Sequence, residues 1–260
     1  MEMDKSGKKR ILLKVGSNVL TKETHQISRG KIEDIARQVA GLKDKYEFVI
    51  VSSGAIAVAK QFVDLETNGK EIKVKQALAS IGQPHLMRIY QEIFREHGLF
   101  TAQCLLSYSD FEKEQSKINI VNTINVLVDN NYIPIINEND TVATDEIKFG
   151  DNDKLAALTA SLLKADLFII ATNTNGIYTK ESIKNKNGKT ILKTADISSL
   201  KNEIEISVST HGTGGMVSKI DAAEIAQKAG IETWILNGLK DNFIIESFSN
   251  KIDFTKIIIV

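Results

Sequence analysis

The sequence predicts an α/β fold, a three-layer αβα sandwich around a mostly parallel central sheet. Three observations predict it. Short apolar runs recur along the chain, among them RILLKV (10–15), EFVIV (47–51), YIPII (132–136) and DLFIIAT (166–172). Stretches with a helical apolar period separate them. The runs are apolar almost throughout rather than alternating, as strands buried on both faces require, and helices on either side supply that cover.

The elements follow in order. After the strand at 10–15, Ser28 precedes Ile32, Ile35, Ala36, Val39 and Leu42, which share one helical face. The strand at 47–51 leads into SSGAIAVA, and a long helical region covers about 70–97. LFTAQCLL and a helix near 116–130 come next, then the strand at 132–136, a helix over 153–164 and the strand at 166–172. KNKNGKTIL carries an Asn-Gly hairpin signal. GGMVSKIDAAEIAQKAG reads as a helix with Gly230 as its C-cap, IETWIL (231–236) returns as a strand, and 256–260 is expected to be the last one. The 260 residues suit one large α/β domain or two small lobes, with the seam near 164–166. No internal repeat or low-complexity linker interrupts them.

Charge narrows the function classes. Lys plus Arg and Asp plus Glu both number 33, so no global field favours nucleic acid or a membrane surface, and a small-molecule role is expected. Cys104 is the single cysteine and has no intramolecular partner, which fits a reducing compartment. No apolar stretch approaches the roughly 20 residues of a membrane span, and the first ten residues lack a signal peptide's apolar core. A cytoplasmic protein is expected.

Four stations stand at strand exits or helix starts. In KVGSNVL, Lys14 ends a strand before Gly16 and Ser17, a pattern that suits an anion but also an ordinary lysine reaching solvent. In VSSGA, Ser52, Ser53 and Gly54 offer donors to a carboxylate or phosphate, or simply cap a helix. The third station spans 137–153. Its clusters at 137–140 and 151–153 hold seven acids and amides, including Asp140, Asn152 and Asp153, where one residue suffices to cap a helix. The surplus points to ligand contacts. An EF-hand is excluded because the glycine and distal glutamate are missing. In HGTGGMVSK no Gly precedes Lys219 and Ile220 replaces the Ser/Thr of a Walker A loop. What remains is a glycine cradle and a lysine early in a helix, which suits nucleotide phosphates, although a purely structural turn has the same form. Two lysines, anion-binding loops and a carboxylate between them are what phosphoryl transfer asks for.

KVGSNVL, VSSGAIA, INENDTVAT, FGDNDKLAAL and GTGGMVSKIDAA together resemble the glutamate 5-kinase family of the amino acid kinase superfamily, from about residue 10 to the end. The resemblance implies an amino-acid lobe over about 1–164 and a nucleotide lobe over 165–260. It implies phosphorylation of the L-glutamate γ-carboxylate by ATP, with Mg²⁺ carried by the nucleotide phosphates, as the first step of proline synthesis. By that resemblance Lys14 and Lys219 stabilise the transferring phosphoryl group and Asp153 orients them. Ser53, Gly54, Asp140 and Asn152 bind glutamate, with Asp140 taking the α-ammonium. Thr172, Asn173, Thr213, Gly214, Gly215, Met216 and Lys219 line the nucleotide side. It further implies feedback inhibition by proline and a homo-oligomer, a dimer or tetramer. Two departures stand out: Asn173 where many relatives have Asp, and no C-terminal RNA-binding-like (PUA) domain in this sequence. The rival readings are a sibling kinase for N-acetylglutamate, aspartate, carbamate or UMP, and a non-catalytic amino-acid or nucleotide sensor.

Overall fold

A computed structural model describes residues 7–21, 26–65, 71–142, 152–179, 190–204 and 215–259. The apolar runs become the strands of one sheet. These are β1 (Lys9–Val15), β2 (Tyr46–Ser52), β3 (Phe100–Leu106), β4 (Tyr132–Glu138), β5 (Leu167–Thr172), β6 (Lys193–Thr194), β7 (Glu232–Asn237) and β8 (Thr255–Ile257). Their order is β3-β4-β2-β1-β5-β7-β8-β6. All neighbours from β3 to β7 run parallel, and β8 turns antiparallel to β7. The first half of the sequence thus builds one half of the sheet and the second half builds the other, joined by the β1–β5 pairing.

The helices are α1 (Ser17–Thr21), α2 (Arg29–Leu42), α3 (Ala55–Ala59), α4 (Ile72–Glu96), α5 (Glu114–Asp129), α6 (Asp153–Leu162), α7 (Ile197–Ile204), α8 (Met216–Lys228) and α9 (Phe243–Phe248). They cover both faces, giving two apolar layers. Because successive strand residues point to opposite faces, Ile11, Leu13, Phe48, Ile50, Ile133 and Ile135 enter the layer beneath α2, α4 and α9. Leu12, Val49, Val51, Ile136, Phe168 and Ile170 enter the other, beneath α5, α6, α7 and α8. That parity decides where every polar residue at a strand exit must point.

The sequence reading needs several corrections. The last strand is Thr255–Ile257 rather than 256–260. Gly230 is not the C-cap of α8; Ala229 is, and Gly230 follows it with φ of 74°, the left-handed position just outside the helix. LFTAQCLL forms the edge strand β3, the helix expected after VSSGA is the short α3, and the short helices α1, α7 and α9 were not foreseen because fewer than nine residues carry too little period. The Asn187–Gly188 turn lies outside the described residues, although Tyr178 and Thr190 form an antiparallel bridge beside it.

Gly82 fixes the approach of α4 to α3. A methyl group there would overlap the carbonyl oxygen of Ala55 and lie 2.7 Å from its carbon and 3.0 Å from the Ala59 nitrogen. The two backbones are nearly in contact. Among the described residues no helix is long and apolar enough to cross a membrane.

Candidate active site

Lys14 shares the parity of Leu12, so its side chain leaves β1 on the face covered by α6 and α8. There it meets Asp153, the first residue of α6: Lys14 Nζ lies 2.6 Å from Oδ1. Lys219, from the first turns of α8, places its Nζ 3.0 Å from Oδ2 of the same carboxylate. Asp153 is fully buried, and the lysines are 3% and 7% exposed. Lys14 therefore does not reach for solvent. Ser218 Oγ sits 3.1 Å from Asp153 Oδ2 and 2.8 Å from the Gly215 carbonyl, tying the carboxylate to the start of α8. Two ammonium groups share one carboxylate, which holds them together while leaving an excess positive charge for an anion.

The opposite face builds a polar cluster. Ser52 and Asn137 share the parity of Ile50 and Ile135 and face α4. The Tyr90 hydroxyl is 2.9 Å from Ser52 Oγ, and burial pushes the phenol up to about 12, so it stays neutral. Asn152 occupies the N-cap position of α6, yet its side chain makes no capping bond. Its Nδ2 instead donates to Ser52 O (3.0 Å), Ser53 Oγ (3.2 Å) and Asn137 Oδ1 (2.7 Å). The capping alternative therefore fails for Asn152. Gly54, with φ of 111°, adopts a conformation that favours glycine as the chain enters α3.

Asp140 follows β4, and burial raises its carboxyl to about 6. A pH signature follows. Below about 6 the side chain becomes neutral and loses its attraction for a cation, so binding of an ammonium-bearing substrate should weaken as pH falls through that value. Stability moves the other way: a carboxyl whose folded pKa is raised is tolerated best when protonated, and stability is lost as pH rises through it. Asp140→Asn should therefore raise the melting temperature at pH 7 by a few degrees, about 1 kcal/mol, while flattening the acid limb of substrate binding. Thermal melts and affinity measured from pH 5 to 8 check both; an unchanged acid limb in the variant would remove Asp140 from the site.

Of the residues expected at the nucleotide, Thr172 ends β5 with the parity of Ile170, toward the Lys219 face, and its Oγ1 is 3.4 Å from Asn173 Oδ1. Gly215 is the extended N-cap of α8 and Met216 its first residue, so the first-turn N–H groups, which have no partner within the helix, belong to the same turns as Lys219. Thr213, Gly214 and Asp151 lie outside the described residues. Among the described residues no cluster of three or more His, Cys, Asp or Glu could hold a metal. Sequence reasoning missed Gln83, Tyr90 and Ser218. The first two were visible as polar residues inside the apolar stripe Leu86, Met87, Ile93 and Phe94 of α4.

A profile of the amino acid kinase family matches residues 9–237. The chain belongs to the amino acid kinase family. The glutamate 5-kinase of Alkaliphilus metalliredigens (strain QYMF) is 39% identical to this amino acid kinase over 240 residues, 92% of this chain and 91% of the relative. The glutamate 5-kinase of Thermoanaerobacter sp. (strain X514) is 43% identical over 237 residues, covering 90% of this chain and 64% of that protein. This amino acid kinase thus spans nearly the whole of one relative and less than two thirds of another. In fold it matches carbamate kinase from Giardia lamblia bound to AMP-PNP at a TM-score of 0.69, with 15% identity, over 98% of this chain and 100% of that one.

Proposed function

We propose that this amino acid kinase is a glutamate 5-kinase, which transfers the γ-phosphoryl group of ATP to the γ-carboxylate of L-glutamate and so opens proline synthesis. The observation that carries the reading is one buried carboxylate, Asp153, bridging Lys14 from strand β1 and Lys219 from helix α8. A carboxylate acceptor is already ionised at neutral pH, so no base is needed, and Asp153 is free to serve the lysines instead. An oxygen of the γ-carboxylate attacks Pγ as the bond from Pγ to the bridging oxygen breaks, releasing ADP. Lys14 and Lys219 meet the charge that develops on the transferring group, and Asp153 fixes their positions. Mg²⁺ would be carried by the nucleotide phosphates rather than by a protein cage and would neutralise part of their charge.

In this reading the lobe 1–164 holds glutamate through Ser53, Gly54, Asp140 and Asn152. The lobe 165–260 holds ATP through Thr172, Asn173 and residues 213–219. Proline, which shares the α-carboxylate and the ammonium, competes for the glutamate pocket. The enzyme works in the cytoplasm as a homo-oligomer. The relatives named above support the acceptor, and the half-buried Asp140 suits a free ammonium better than an N-acylated amino acid. A silent sensor is disfavoured, since binding alone requires no pair of lysines held at a transferring phosphate.

Glutamate-dependent ADP release from the purified chain tests the reaction, with N-acetylglutamate, aspartate, carbamate and UMP as rival acceptors. Lys219→Ala should lower kcat by about 10²-fold or more while glutamate binding persists. Turnover with a rival and none with glutamate would overturn the assignment, and a near-normal kcat in the variant would remove Lys219 from the chemistry.

A further inference from the structure

We infer that Gln83 is a specificity-determining residue of the amino-acid pocket, its Nε2 donating to the α-carboxylate of the acceptor. The inference rests on the reading of the site as a glutamate pocket. The argument starts from two backbone groups whose hydrogen-bonding sense cannot change. The Ser52 carbonyl can only accept, so Asn152 must present Nδ2 to it, at 3.0 Å. The Glu138 N–H can only donate, so Asn137 must present Oδ1 to it, at 2.9 Å. Asn137 Oδ1 then also receives Asn152 Nδ2. The remaining Asn137 nitrogen faces Gln83 and donates to Oε1 at 2.8 Å. The three amides form a directed chain whose orientation is set at both backbone anchors.

Its two ends are Asn152 Oδ1 and Gln83 Nε2. Both are buried, and neither has a hydrogen-bond partner among the described residues. Asn152 is 4% exposed and Gln83 9%. One end is an acceptor and the other a donor, and orphaned buried groups of this kind are costly unless a ligand completes them. An amino acid does so: its ammonium donates to Asn152 Oδ1 alongside Asp140, and its α-carboxylate accepts from Gln83 Nε2. Helix α4 already lies along the stretch that carries Asp140, since one turn before Gln83 the Ser80 hydroxyl is 3.0 Å from that of Thr141. The neighbouring Gly82 lets α4 approach α3 closely at the same turn.

The test compares binding of L-glutamate with that of its α-amide by calorimetry, beside turnover, in the wild type, Gln83→Glu and Gln83→Met. Gln83→Glu keeps an oxygen for Asn137 Nδ2 but opposes a carboxylate with a carboxylate, while still accepting from the amide's NH₂. The affinity ratio of glutamate to α-amide should fall at least about tenfold. Gln83→Met removes both functions and should lower the ratio severalfold, which keeps the inference testable if the charged variant fails to fold. A residue that merely props Asn137 would leave the ratio unchanged in Gln83→Glu, and that result would overturn the inference alone. Wild-type protein that binds glutamate without turnover would instead overturn the proposed reaction and leave the role of Gln83 standing. Failure of the wild type to bind glutamate would overturn both.

Discussion

Asp153→Asn is expected to cut kcat by about 10²-fold or more, the cost of losing a preorganised charge arrangement at a phosphoryl group. The Asn keeps the size and some of the hydrogen bonding of Asp153, but not the charge that holds Lys14 at 2.6 Å and Lys219 at 3.0 Å. The burial of all three groups adds a second consequence that the sequence did not suggest. Two nearly buried ammonium groups would then face each other without a counter-charge, so the variant should also lose on the order of 3 kcal/mol of stability. The two effects separate in the double variant Lys14→Met with Asp153→Asn. Removing one lysine relieves the repulsion, so the melting temperature should recover toward that of the wild type while kcat stays low. Assays well below the lowest melting temperature keep unfolding out of the rates. Near-normal kcat in Asp153→Asn would end the claim that this carboxylate organises the chemistry.

Gly82→Ala should strongly destabilise the protein, since a methyl group there meets nearer backbone than at any other described glycine. Overpacking commonly costs about 1–3 kcal/mol. Here the methyl meets backbone rather than a flexible side chain, with the Ala55 carbon at 2.7 Å and the Ala59 nitrogen at 3.0 Å. The clash is relieved only if α4 and α3 separate, so a loss of about 3 kcal/mol or more is expected. Separation would also displace Gln83 and Tyr90 from Asn137 and Ser52, so the affinity for glutamate should fall more than that for ATP. Denaturant unfolding and paired KM values check this. A variant as stable as the wild type would mean that the helices are not in contact in solution.

The parallel sheet was legible because strands buried on both faces leave an apolar signature that few other elements produce. The paired lysines were legible only in part. Lys14 at a strand end fits solvent exposure as well as catalysis, and side-chain parity with Leu12 decides between them, which requires knowing what covers each face. The amide cluster was visible by its excess over capping needs, and Asn152 is indeed an N-cap residue whose side chain does something else. Gln83 was not singled out, because it lies more than 50 residues before Asn137. Its local signal, an amide within the apolar stripe of α4, has no meaning until β4 is known to lie opposite. Strands as short as β6 and β8 carry too few residues for any period; β8 forms on the edge that β7 offers, and β6 on the edge of β8.

The alternation along the strands has a consequence for how such an enzyme can change. Ser52 and Asn137 leave the sheet toward α4, whereas Lys14 leaves it toward α6 and α8, and the two sets meet where Asn152 holds the first and Asp153 the second. Under the proposed function, selection of the acceptor and transfer of the phosphate therefore draw on side chains from opposite faces. Replacing side chains on the α4 side alters which acid is admitted without displacing the lysines. On that reading a chain organised in this way exchanges one substrate for another by substitutions confined to one face of the sheet, while the lysines on the other face stay in place.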